Sequence, residues 1–182
     1  MIFDILRKQN RKKSIKYSEV NQKPVFHFKT AGNSTPTPSK GKTMIDQYLV
    51  HQKERAEQGI PSLPLSPEQT KSLCQLLLNP PQGKEDLLVD LLVNRISPGV
   101  DPSAEVKAGF LTEIAKGDKK CTLINKTQAV ELLGTMMGGY NLQPLIDFLS
   151  SDDLGKTAAK ALGKTILVGD LFDKVFNLSK NN

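Results

Sequence analysis

The chain contains two cysteines and two histidines, the residue types most often used for nucleophilic chemistry and metal binding. Cys74 and Cys121 lie far apart in the sequence, a spacing that fits neither a disulfide framework nor a metal site. This use of cysteine predicts a reducing, cytoplasmic setting. His27 and His51 have no cysteine or acidic residue at ligand spacing. We predict that His51 lies on the exposed polar face of a helix.

Closely spaced acids and one glycine-lysine-threonine string also have plain explanations. Asp86 and Asp90, and the neighbours Asp152 and Asp153, fall at or near predicted helix starts, where the helix dipole favours negative charge. The string GKT at residues 41–43 is not a phosphate-binding loop, because proline stands at position 36 and no buried strand precedes it. These patterns predict no catalytic residue, no metal site and no cofactor site.

The stronger candidate is a surface for another protein. Met136 and Met137 stand beside two glycines and Tyr140, and flexible methionines next to an aromatic ring can form an adaptable contact surface. The same pattern also fits a core methionine followed by a glycine helix cap. Asn94 and Arg95 end a predicted helix, where they could cap its carbonyls or, for Arg95, project towards a partner domain. The candidate partner-contact residues are Arg95, Met136, Met137 and Tyr140.

Helices must position these residues. Apolar residues recur at helical spacing on both sides of Ser97-Pro98-Gly99, which predicts one helix at about 84–96 and another at about 103–116. Asp101 followed by Pro102 is a typical cap and first position of the second helix. Similar patterns, with capping signals at Ser66 and Asn125, predict further helices. They lie at about 45–58, 66–78, 126–137, 142–149, 151–167 and 169–178.

The sequence therefore predicts an all-α array of about eight short helices, stacked in antiparallel pairs. Leu133-Gly134 recurs as Leu162-Gly163, an internal similarity too weak to define a repeat by itself. We place this helical domain at residues 44–180. No apolar run approaches the ~18 residues that a membrane span needs, and the first residues have the wrong order for a secretory signal.

Residues 1–43 form a basic extension. They contain ten lysines and arginines against two acids, whereas the remainder of the chain is slightly acidic. Apart from a short strand predicted at 24–29, we expect this extension to be disordered and to end in a linker. A mistaken upstream start, an organelle-targeting peptide and a binding arm are all open explanations. The alternative function that follows is weak, salt-dependent binding of RNA by this tail.

Three strings in the middle of the chain are long and unusual: LLVNRISPGVD, VKAGFL and ELLGTMMGGYN. With the preceding IDQYLVHQKERAEQGIPSLPL, they resemble the N-terminal helical-repeat domain of bacterial aconitase B, a bifunctional aconitate hydratase and 2-methylisocitrate dehydratase. The resemblance runs from about Met44 to about Phe172 and contains no catalytic motif. It implies a HEAT-like fold. Met44 falls where members of that family start.

The resemblance also implies what this chain lacks. Aconitases interconvert citrate and isocitrate in the tricarboxylic acid cycle through a 4Fe–4S cluster held by three cysteines, and in this family those cysteines belong to later domains. We therefore expect a non-catalytic interaction or dimerisation domain, with aconitase catalytic domains or a second copy as partner. Whether the chain is a truncated product or a stand-alone protein is left open by its sequence.

Overall fold

The computed structural model describes residues 43–165 and 169–180, and within them every regular element is a helix. The predicted all-α array of about eight short helices is confirmed for this part of the chain. The predicted strand at 24–29 and the predicted disordered tail lie outside the described residues. A short 3-10 turn at Gly169–Leu171 precedes the last helix. The helices are α1 (Met44–Glu57), α2 (Pro67–Leu78), α3 (Glu85–Asn94), α4 (Pro102–Lys116), α5 (Lys126–Leu133), α6 (Leu142–Phe148), α7 (Gly155–Leu162) and α8 (Phe172–Lys180).

Local capping signals start α2, α4 and α5 where the sequence predicts. Ser66 begins α2 with a reciprocal capping box, in which its hydroxyl accepts from the Gln69 amide at 3.2 Å and its own amide donates to the Gln69 side chain at 2.9 Å. Asn125 caps α5 in the same way. The Asp101 carboxylate accepts from two backbone amides at the start of α4. Each cap satisfies amides that have no partner inside the helix.

Consecutive helices pack against each other as pairs, namely α2 with α3, α4 with α5, and α6 with α7. The pairs also stack, because α4 contacts α2 and α7 contacts α5. Their apolar sides form one continuous core, an arrangement consistent with a HEAT-like array. No described helix has both the length and the apolar content to cross a membrane.

Helix α5 ends at Leu133, so the predicted end at Met137 is wrong. Beyond Leu133 the chain tightens into turns, and the Leu133 carbonyl accepts both from the Met136 amide at 3.2 Å and from the Asn141 side-chain amide at 2.8 Å. The Met137 amide donates instead to Pro98 in the loop before α4, at 2.9 Å. Tertiary contacts thus take the groups that a longer helix would have bonded to itself.

Helix α7 is also shorter than predicted, since it begins at Gly155 and ends at Leu162 rather than running from 151 to 167. Ser151 instead starts a turn, in which its hydroxyl accepts from the Leu154 amide at 3.3 Å. Gly155 lies against α6, and an added Cβ there would come within 2.7 Å of the Leu149 carbonyl oxygen. The start of α7 is therefore fixed by close backbone packing. Residues 166–168 lie outside the described part.

Candidate functional site

The two cysteines are free thiols in different surroundings. Cys74 is buried on α2, and its burial raises the pKa of the thiol to about 12, against a smaller lowering by Lys119. Cys121 is half-buried and donates a hydrogen bond to the Leu77 carbonyl oxygen at 3.2 Å. Because the thiolate is the reactive form of cysteine, Cys74 is chemically inert at neutral pH.

These thiols do not fit an iron–sulfur cluster. A 4Fe–4S cluster of the aconitase type needs three cysteine thiolates, whereas the whole sequence contains two cysteines. In the described residues there is also no group of three or more histidines, cysteines and acids placed to hold a metal ion. We derive no catalytic step for this chain through such a cluster.

Two of the remaining predicted polar groups, His51 and Asp90, have hydrogen-bond partners. His51 is half-buried, not exposed as predicted, because its Nε2 accepts a hydrogen bond from the Leu63 amide at 3.2 Å. Asp86 lies in the first turn of α3, and Asp90 accepts from the Asn94 side-chain amide at 2.8 Å. The Asn94 amide is therefore engaged along its own helix and does not cap the α3 carbonyls.

The predicted partner-contact residues of the α5–α6 loop divide between core and surface. Met136 is 2% exposed and belongs to the core, while Met137 is 43% exposed and Tyr140 is 38% exposed. Gly138 and Gly139, between them, both have positive φ, a conformation that glycine adopts without strain. These glycines allow the chain to reverse sharply after the buried Met136.

The structure adds Val100, which is 68% exposed in the loop between α3 and α4. Its Cγ1 lies so close to Gly139 that a Cβ on this glycine would be 3.0 Å away. We call Val100, Met137 and Tyr140 the loop-edge patch. Sequence reasoning missed Val100, although an apolar side chain between Gly99 and Asp101, outside any helix, is a signal that could have found it.

Arg95 lies at the end of α3 and is half-buried. Its carbonyl oxygen accepts from the Leu65 amide at 2.7 Å, and the Leu65 carbonyl in turn accepts from the Ser103 hydroxyl at 2.9 Å. The backbone of Leu65, in the segment after α1, therefore joins the end of α3 to the start of α4. Its role as a partner contact stays a prediction.

Two open grooves flank the array of helices. One, of about 610 Å³, lies along α4 between α2 and α6 and reaches Tyr140 of the loop-edge patch. Its charged residues include Lys71 and Glu105, together with the ion pair of Glu113 and Lys119 at 2.8 Å. The other, of about 470 Å³, is lined by α3, α5 and α7. Both are surface clefts between packed helices.

The chain matches a known domain over most of its length. A sequence model of the aconitate B N-terminal domain matches residues 47–182. The chain belongs to this family. The predicted resemblance to the N-terminal domain of aconitase B is thereby confirmed. The aconitate B N-terminal domain accounts for α2 to α8 and for most of α1.

Relatives of this aconitate B N-terminal domain are much longer than the chain itself. This chain is 52% identical over 141 residues to aconitate hydratase B of Synechocystis sp., a match that covers 76% of this chain and 16% of the relative. For aconitate hydratase B of Escherichia coli the identity is 51% over 137 residues, with 75% and 16% covered. The Helicobacter pylori enzyme of the same name is 41% identical over 143 residues, with 78% and 17% covered. The chain thus spans about one sixth of the length of these curated relatives.

Proposed function

We propose that this chain is a non-catalytic protein-interaction domain of the aconitate hydratase B type. Its partner is a set of aconitase catalytic domains or a second copy of the same chain. The activity of such an enzyme, interconversion of citrate and isocitrate, would reside in the partner and not here. The proposed location is the cytoplasm, in keeping with two free thiols.

The loop-edge patch is the observation that carries this proposal. Val100 exposes 68% of its surface, which is a large fraction for an aliphatic side chain, and its Cγ1 lies against Gly139 in the same loop as Met137 and Tyr140. Methionine and tyrosine are enriched in protein interfaces, where they bury a large area and adapt their shape. The patch is also held in place, since the Met137 amide donates to Pro98 across the two loops. A fixed apolar surface of this kind loses little entropy when a partner covers it.

The test is binding by the full 182-residue chain. We expect it to associate with aconitate hydratase B of Escherichia coli in co-purification, or with itself in analytical ultracentrifugation. Substituting Val100→Asp or Met137→Asp should weaken that association by roughly tenfold or more, because a carboxylate would be buried in an apolar contact.

Val50→Asp is the matched control, because Val50 is 44% exposed on α1 and lies outside the loop-edge patch. It should leave the association unchanged. Equal effects of Val50→Asp and Val100→Asp would contradict the assignment of the patch. Turnover of citrate by the purified chain would contradict the non-catalytic role itself.

A further inference from the structure

The groove between α3, α5 and α7 has an apolar floor that the fold leaves open to solvent. Its floor side chains are contributed by three different segments, and they are half-buried apart from Val93, which is 37% exposed. Apolar surface of this kind is stabilised when a partner removes it from water. The floor residues are Val89, Val93, Leu123 and Leu132.

Lysines form the α7 wall of this groove. Lys160 and Lys164 are both exposed and both line it, and Lys156 lies one turn before Lys160 on the same helix. Among the described residues the ion pair present is that of Glu113 and Lys119, so neither groove lysine is paired with a carboxylate of this part of the chain. The wall is therefore basic, although residues 44–182 as a whole contain more acids than bases.

We infer that this groove binds an acidic amphipathic helix of a partner protein. The apolar stripe of such a helix would cover Val93 and the rest of the floor, while carboxylates on its flank would pair with Lys160 and Lys164. Helix-in-groove recognition rests on the apolar contact, and complementary charge at its edge fixes the orientation of the bound helix. Glu131, the acid that lines the α5 side of the groove, orients the partner with its acidic flank towards α7 and away from α5. This inference rests on the proposed interaction role and names a second surface for it, apart from the loop-edge patch.

Charge and shape together favour a protein helix over nucleic acid. The position of Lys160 in the last turn of α7, where the helix dipole favours a cation, explains why a lysine is tolerated there. It does not explain the apolar floor beside it. A phosphate backbone would pair with the lysines but would leave Val93 and Leu132 uncovered, and neither offers an aromatic face for base stacking.

The experiment uses the full chain and two labelled synthetic peptides of roughly 18 residues, about five helical turns. Both carry a leucine stripe; one has glutamates on its flanks and the other has lysines. In fluorescence anisotropy at low salt, we expect the acidic peptide to bind about tenfold more tightly than the basic one, with a preference that shrinks as salt screens the charges. The double variant Lys160→Glu/Lys164→Glu should reverse the preference. Val93→Asp should weaken the binding of both peptides.

Lys116→Glu/Lys120→Glu is the matched control, because it makes the same change of charge at exposed lysines outside the groove. Compared at about 0.15 M salt, where charges outside the groove are largely screened, it should leave the acidic peptide's affinity within about twofold of the wild type. Equal affinities for the two peptides would overturn the inference, as would equal effects of the two lysine double variants. A third outcome would also overturn the inference. In it, the chain shows no preference between the peptides but binds a single-stranded RNA oligonucleotide, and this binding depends on Lys160 and Lys164 but not on Val93. The lysines would then be assigned to nucleic acid.

Failure of the groove inference can be distinguished from failure of the proposed function. If the chain associates with aconitate hydratase B or with itself but does not distinguish the peptides, the groove inference fails and the interaction role stands. If the peptides behave as expected while Val100→Asp has no effect on association, the loop-edge patch is wrong and the groove stands. The two sets of substitutions share no residue.

Discussion

Replacing Gly134 by alanine should destabilise the domain, although an argument from helix propensity predicts the opposite. Gly134 caps the end of α5 with φ of −68° and ψ of −12°, angles that any L-residue adopts easily. Alanine in a helical conformation is favoured over glycine by up to about 1 kcal/mol, and it restricts the unfolded chain. From local structure alone, Gly134→Ala should therefore stabilise the protein.

The neighbouring helix reverses this expectation. A Cβ added at Gly134 would lie 2.6 Å from the Ala161 Cβ and 2.8 Å from the Ala161 Cα on α7. Because carbon atoms pack best at about 3.5–4.0 Å, α7 would have to move away by roughly 1 Å. Overpacking of a core typically costs about 1–3 kcal/mol. After subtracting the gain in helix propensity, we expect a loss of about 1–2 kcal/mol in the free energy of unfolding.

Gly163 provides the matched control, because it ends α7 in the way that Gly134 ends α5, with φ of −64° and ψ of −16°. An added Cβ there would meet carbonyl oxygens at 3.5 and 3.6 Å, which are ordinary contacts. Gly163→Ala should therefore raise the free energy of unfolding by about 0.5–1 kcal/mol. The pair separates a helix-end effect from a packing effect at the α5–α7 contact.

Urea unfolding of the full chain, followed by far-ultraviolet circular dichroism, measures both changes. The midpoint should fall for Gly134→Ala and rise for Gly163→Ala, with the m value unchanged in each. Adding Ala161→Gly to Gly134→Ala should not restore stability, since the Ala161 Cα stays at 2.8 Å. If Gly134→Ala equals or exceeds the wild type in stability, or if both variants shift in the same direction, the packing argument is refuted.

Three further predictions concern the buried lysine, the thiols and the tail. Lys107 is 2% exposed and burial lowers its pKa to about 8, so the folded state binds fewer protons than the unfolded state between that value and the ordinary pKa of 10.5. The free energy of unfolding should thus rise with pH across this window. Lys107→Met should flatten the rise and stabilise the protein at pH 7 by roughly 2–3 kcal/mol. Urea unfolding of both proteins at several pH values measures this, and equal pH dependence in the two would contradict it. Iodoacetamide should label Cys121 well before the buried Cys74 in the folded chain and both in denaturant, as followed by mass spectrometry; equal labelling rates in the folded chain would contradict the assignment. Deleting residues 1–43 should abolish any salt-dependent affinity for RNA in a filter-binding assay; an unchanged affinity would exclude the basic tail as its source.

Helix starts could be read from the sequence because capping is local. Ser66 with Gln69, Asp101 and Asn125 each bond to backbone amides two or three residues away, so the residues that decide the start of α2, α4 or α5 are adjacent in the sequence. Apolar residues at helical spacing then fix which side of each helix faces the core. The all-α class and the number of helices follow from these short-range rules.

The candidate site could be predicted only in part, since exposure depends on what packs above a residue. Two adjacent methionines have the same intrinsic helix propensity, yet Met136 is buried in the core and Met137 is exposed at the surface. Val100 joins Tyr140 because the loops before α4 and before α6 meet through the bond from the Met137 amide to Pro98. No short-range pattern links those loops.

The sequence by itself determined the helical class, the capped helix starts and, through its long distinctive strings, membership of the aconitate B N-terminal family. Tertiary structure decided where α5 ends and α7 begins. At Gly134 and Gly155 the backbones of neighbouring helices approach so closely that a side chain cannot fit, and at Asn141 a side chain from a later segment takes the last carbonyl of α5. Tertiary structure also decided the position of the lysine wall, because Lys160 and Val93 belong to helices that lie far apart in the chain and line one groove only when the pairs stack. A local rule specifies a helix, whereas a surface that can hold a partner is made by the packing of several helices together.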